Sequence, residues 1–129
     1  MTRAIHEGVA SNASWLLRHV SAFTGTAYDS LRFGGGGAVS DFWGQVMADV
    51  MGVTVSRLSD PSMTNARGAA FLALERLGRI TLDDIPSLLR VERVHEPDPS
   101  ARTMYERLAE RFVEFHTLAR PFYRATDHG

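Results

Sequence analysis

Leu31-Arg32-Phe33-Gly34-Gly35-Gly36-Gly37-Ala38-Val39-Ser40-Asp41 is the stretch on which the reading of this chain turns. The short run Leu31-Arg32-Phe33 has strand character and leads straight into four glycines. Ser40 and Asp41 are good helix N-caps, because their side-chain oxygens can accept from the first free amides. Beyond them Phe42, Val46 and Val50 fall on one helical line, with Trp43, Met47 and Met51 beside it, and Gly52 is placed to close the helix. The pattern predicts strand, glycine turn, helix.

Working outward, Val9, Ala13, Leu16, Leu17, Val20 and Phe23 recur at threes and fours from Ile5, which predicts an amphipathic helix ending near Thr24-Gly25. Thr54 to Leu58 reads as a second strand, Asp60-Pro61-Ser62 as a turn, and Thr64 or Asn65 as the cap of a third helix. That helix runs through Ala66, Gly68, Ala69, Ala70 and Ala73 to Gly78, and its small residues should let it lie close to a neighbouring backbone. Between Ile80 and Pro99 the chain looks irregular, with a helical turn over Leu82-Leu89 and an extended piece over Val91-Val94. A last helix starts near Ser100 and carries Met104, Leu108, Phe112, Phe115 and Leu118 until Pro121 interrupts it. The fold class is α/β around a parallel crossover. Two or three strands leave bare edges, so further strands are expected from another part of a longer polypeptide or from a partner chain.

Composition narrows the chemistry. The 129 residues are 44% apolar and 22% charged, with a formal net charge of -1, which suits one soluble domain and offers no field for nucleic acid. Cysteine is absent and all 14 basic residues are arginine, so thiolate nucleophiles, Cys-based zinc sites, a P-loop lysine and a Schiff-base lysine are excluded. No stretch reaches membrane-spanning length or forms a leader-like apolar run after Arg3, and a cytoplasmic protein without a membrane partner is the expectation.

Residues lacking a Cβ at a strand-to-helix junction admit positive φ and let a phosphate or ribose approach the backbone, where helix amides converge. An empty tight turn accounts for the same glycines equally well. The turn is no P-loop, since no Gly-Lys-Ser/Thr follows, and Val39 stands where a dinucleotide fingerprint needs its third glycine. His6-Glu7 opens like a zinc-protease helix, but Ala10 replaces the second histidine. His19, His95, His116 and His128 lack ligand neighbours at metal spacing, so no metal site is expected. Asp49, Asp60, Asp83 and Asp84 read as solvated or capping, and Glu106, Glu110 and Glu114 with Arg107 and Arg111 as a wet helix face. No pair of carboxylates is arranged as acid and base, and no catalytic residue is assigned.

Taken together, Leu31 to Ala38, the Trp43-Gly44-Gln45 helix through Asp49 to Gly52, and Asn65-Ala66-Arg67-Gly68-Ala69-Ala70 resemble the FGGY carbohydrate kinases. Arg3-Ala4-Ile5-His6-Glu7-Gly8 is similar to the helix preceding that strand in the family, and Glu96-Pro97-Asp98-Pro99 with the Tyr105 helix to its tail. The likeness spans nearly the whole chain and is greatest toward xylulokinases. It implies that residues 1–129 are the C-terminal portion of an actin-like, ribonuclease-H-like nucleotide-binding domain, an incomplete sheet flanked by helices. It also implies that the backbone of Gly35, Gly36, Gly37 and Ala38 lies against the ribose and α-phosphate of ATP, with Asp41 near adenine.

The same resemblance places the family's phosphate loops and catalytic aspartate upstream of anything matched here, together with any ligands for Mg²⁺. In the whole enzyme that aspartate would deprotonate a sugar hydroxyl while Mg²⁺ and backbone amides neutralise the phosphoryl group. The expected activity is phosphoryl transfer from ATP to a ketopentose such as D-xylulose, held through the N-terminal domain, with ribulose, glycerol or gluconate as other family substrates. The isolated chain is expected to be inactive. A rival expectation is a non-catalytic module that binds ATP or ADP and forms a homodimer through its exposed sheet edge.

Overall fold

The computed structural model describes residues 2–126, with side chains from 3 to 122. The elements are α1 (Thr2–Thr24), β1 (Ser30–Phe33), α2 (Asp41–Met51), β2 (Thr54–Leu58), α3 (Thr64–Arg76), α4 (Ile85–Leu88), β3 (Val91–His95) and α5 (Arg102–Thr126). Single 3-10 turns occupy Gly36–Val39, Pro61–Met63 and Leu82–Asp84. His128 lies outside the described residues.

The predicted crossover is present. β1 pairs in parallel with β2 from Ser30↔Thr54 to Phe33↔Arg57, and α2 connects them. β2 is central and pairs antiparallel with β3, with Val55 opposite His95 and Arg57 opposite Arg93. The extended piece anticipated over Val91-Val94 is therefore a full edge strand. Ser40 caps α2 by accepting the Trp43 amide at 3.3 Å, and Gly52 ends it in a left-handed conformation, its amide reaching Ala48 at 2.8 Å.

The core sits between one sheet face and the helices. Ala10, Val46, Val50 and Tyr105 form one cluster with Trp43 and Met47 against it; Ala48, Val53 and Val55 form another with Leu17, Leu31, Phe33 and Met51. Each buried valine contributes roughly 2 kcal/mol by leaving water. On the other face of the sheet Arg32 and Val94 remain exposed.

Three expectations change. α1 turns its small residues Ala10, Ser11 and Ser14 inward, whereas Val9 and Leu16 are exposed and Phe23 is 92% exposed. Small side chains let α1 approach α2 closely, and Ser11 satisfies its hydroxyl on the Glu7 carbonyl at 2.7 Å, so burial costs it no hydrogen bond. α3 does not lie against another helix: Leu77 is 72% exposed, and a Cβ built on Gly68 would meet nothing within 4 Å. α5 continues through Pro121, which removes one main-chain hydrogen bond without ending the helix.

Candidate functional site at the glycine turn

Each glycine of the turn answers a different constraint. A Cβ on Gly34 would collide with the Thr64 side chain. Gly35 has φ +97°, a region closed to most L-residues, and there its amide donates to the Pro61 carbonyl at 2.7 Å and to Thr64 Oγ1 at 3.2 Å. Gly37 packs so closely under Trp43 that a Cβ would fall 2.7 Å from Nε1. A Cβ on Gly36, as on Gly35, would meet nothing within 4 Å, and Gly36 is exposed.

The turn is closed from inside by Ala38. Its methyl is fully buried, its amide donates to Gly35 at 3.0 Å, and the Ser40 amide returns to Gly37 at 3.3 Å. In front of Gly36 and Gly37 lies a cleft of about 440 Å³ whose other walls are Ile5, His6 and Val9 of α1 together with Val39, Ser40 and Trp43. His6 meets Trp43 edge-on, with ring centroids 4.5 Å apart, and Phe42 at 5.6 Å. An apolar wall facing a strip of bare backbone at a helix N-terminus is suited to a flat, partly apolar ligand bearing negative charge.

Gly35, Gly36, Gly37, Ala38 and Asp41 are thus gathered into one bend and the first residue of α2, but they present different groups. Gly36 and Gly37 line the cleft, the Gly35 amide is turned to Pro61 and Thr64, and Asp41 faces the sheet. Asp41 Oδ1 accepts from Arg57 Nη1 at 2.8 Å, and Oδ2 lies 3.4 Å from Arg93 Nη1. Arg57 also faces Glu92 at 3.4 Å.

His95 lies beneath this group. It is 4% exposed, its Nε2 is buried without a hydrogen bond, and Asp41 Oδ1 is 3.9 Å from it. Burial holds its pKa below the ordinary imidazole value; Asp41 opposes that shift, and Arg93 and Arg57 reinforce it. Its ring explains Gly44, where a Cβ would come within 2.5 Å of Nε2.

A second set of contacts fixes the tail. Asp49 Oδ1 accepts from Gln45 Nε2 at 2.8 Å and from the Asp98 amide at 2.9 Å, while Gln45 also reaches the Glu96 carbonyl at 2.7 Å. Tyr105 donates to Glu7 at 3.0 Å and accepts from Arg3 at 3.1 Å; burial raises its pKa, against the Arg3 hydrogen bond. A cleft of about 270 Å³ adjoins this region, at the opposite end of α2. Its carboxylates are engaged, Asp49 as above, Asp98 with Ser100, and Glu106 with Arg102.

Sequence reading passes over Thr64 as a tie to the glycine turn, and over Arg57, Arg93 and His95 as a group. The available signal was alternation: Arg57 stands two residues after Val55 in a strand, so it shares the inward face.

The model of the FGGY family of carbohydrate kinases, C-terminal domain, matches residues 1–75. The chain belongs to this family. Among relatives, the autoinducer-2 kinase of Salmonella paratyphi B is 32% identical over 112 residues, covering 85% of this chain and 21% of its own length. The autoinducer-2 kinase of Escherichia coli is 31% identical over 106 residues, 81% of this chain and 20% of that protein. The chain therefore spans about a fifth of the length of these FGGY relatives. Among solved structures, xylulose kinase from Lactobacillus acidophilus superposes with a TM-score of 0.73 at 25% identity, over 93% of this chain and 24% of that one. Gluconate kinase from the same organism gives 0.72 at 25% identity, over 92% and 24%. The fold is that of the C-terminal part of FGGY kinases, a three-stranded mixed sheet flanked by helices. No helix among the described residues is long and apolar enough to cross a membrane.

Proposed function

We propose that residues 1–129 form the C-terminal portion of the nucleotide-binding domain of an ATP-dependent sugar kinase and supply the adenosine side of its cleft. The observation that carries this reading is the Gly36–Gly37 backbone, bare toward a cleft in front of the N-terminus of α2, in a chain of the FGGY family. ATP would supply the γ-phosphoryl group transferred to a sugar hydroxyl. Gly36 and Gly37 would admit ribose and α-phosphate against the main chain; Gly35 and Ala38 hold the bend; Asp41, half exposed beside the cleft and engaged by Arg57, would lie near adenine. From membership of the FGGY family, Mg²⁺ would be held by residues outside this chain. The unpaired outer edges of β1 and β3 are where the remaining strands, or a second copy, would join. The enzyme would work in the cytoplasm.

For the acceptor, the ketopentose D-xylulose is favoured by the structural likeness to xylulose kinase. A second reading, autoinducer-2, is favoured by the identity to the autoinducer-2 kinases. A coupled assay with Mg-ATP and D-xylulose, gluconate or autoinducer-2 tests both, on the purified chain and on a longer polypeptide carrying it. The chain alone is expected to give no turnover, and turnover would overturn the reading. In the longer polypeptide, Gly36→Val should raise KM for ATP about tenfold and leave KM for the sugar unchanged. An unaltered KM for ATP would remove the glycine seat.

A further inference from the structure

Four consecutive glycines are the least self-organising stretch a chain can contain, because each has the widest backbone freedom to lose. Something outside the turn must hold it. On the entry side the holders are Pro61 and Thr64, which receive the Gly35 amide. On the exit side one side chain reaches both the end of the turn and the start of the helix. Arg57 Nη1 donates to Asp41 Oδ1 at 2.8 Å and lies 3.5 Å from the Val39 carbonyl, while Nη2 faces Glu92 at 3.4 Å.

The placement of Arg57 is unusual for a charge. It lies on the central strand, hydrogen-bonded on both sides, opposite Phe33 and Arg93, and is only 14% exposed. Its Nε is buried with no partner. Desolvating a guanidinium in such a position is unfavourable unless its partners are well placed, and a valine would pack there more readily. What the arginine adds is geometry, since a planar fork anchored in the central strand fixes two points on a glycine-rich neighbour.

We propose that Arg57 is a positioning residue for the nucleotide seat: it holds Val39 and Asp41, and through them sets the shape of the Gly36–Gly37 bend. Arg93 completes the hold by taking the second oxygen of Asp41. The inference rests on the proposed nucleotide role of the turn, but its first test is independent of any ligand.

Hydrogen–deuterium exchange of the chain reads the turn directly. Arg57→Lys keeps the charge and loses the fork; Arg57→Met loses both; Asp41→Asn removes the half-exposed partner and leaves the strand intact. Each should speed exchange across residues 36–41 about tenfold, with rates in α5 unaltered. Combining Arg57→Met with Asp41→Asn should add little to either alone, because both break the same hold. Unchanged exchange at 36–41 in Asp41→Asn, or single effects that multiply in the double variant, would overturn the proposal; Asp41→Asn serves even where an Arg57 variant fails to fold. Calorimetry with ADP on the longer polypeptide is the second arm. Weaker binding by Arg57→Lys at unchanged melting temperature supports the assignment, and equal affinity overturns it. Absence of binding in the parent, with exchange responding as expected, would leave the hold standing and sink the nucleotide reading instead.

Discussion

The surroundings of Gly44 and Gly68 differ as sharply as any two places in the chain, though both glycines lie inside helices. At Gly44 the absent side chain is required, because α2 rests directly on the buried ring of His95. At Gly68 the absent side chain leaves only open space, since a Cβ there would meet nothing within 4 Å. One half of the molecule is closely packed, with α2 against the sheet and α1 and α5 against α2; the other, around α3, is loosely packed. A glycine in a sequence cannot say which kind it is, since close approach is a property of two segments.

The largest expected effect breaks the closely packed side. Gly44→Ala should destabilise the chain by about 2–3 kcal/mol, through overpacking against a ring with no room to retreat, read as a lowered urea midpoint. Next comes the tie that fixes the tail to α2. Asp49→Ala strips an acceptor from both Gln45 and the Asp98 amide and should cost about 1.5 kcal/mol, with faster proteolysis around residues 96–100. On the loosely packed side the sign reverses: Gly68→Ala should stabilise the chain by about 1 kcal/mol by helix propensity alone, measured by the same denaturation. A loss of stability there would mean α3 is packed after all.

The mildest test is in pH. The pKa of His95 is lower in the folded chain than its ordinary 6.5, so the unfolded chain binds the proton more readily. Its contribution is therefore intact above pH 6.5, falls as pH drops from there through the lower folded value, and then levels off. Denaturation at about pH 7.5 and about pH 5 should show the decline, and His95→Gln should flatten it. Asp84 and Asp98 have pKa values lowered by their Thr81 and Ser100 hydrogen bonds; their contribution is present above 3.8 and is lost only in stronger acid.

What the sequence made legible is local. The strand, glycine turn and capped helix from Leu31 to Gly52 could be read because their residue types signal them locally, as Ser40 does by capping at the Trp43 amide. The inward face of α1 could not, because Ser11 and Ser14 look polar to a periodicity argument while their small size is what admits α2. Asp49 looked solvated because its partner is Asp98, forty-nine positions on. Arg57 hid in plain alternation: its place on the inward face was visible, but Asp41 and Glu92, which make a charge tolerable there, come from α2 and β3. The site was therefore half visible, as backbone that could receive a ligand, while the side chains that hold that backbone still were not.

Thr64 gives this division a mechanical meaning. Its hydroxyl donates to Pro61 at 2.7 Å and takes the Gly35 amide at 3.2 Å, and it is also the first residue of α3. The helix α3 and the glycine bend thus share one hinge pin. A shift of α3 would therefore be felt at the bend through that one hydroxyl, so that helix and turn move as coupled parts and not as separate ones.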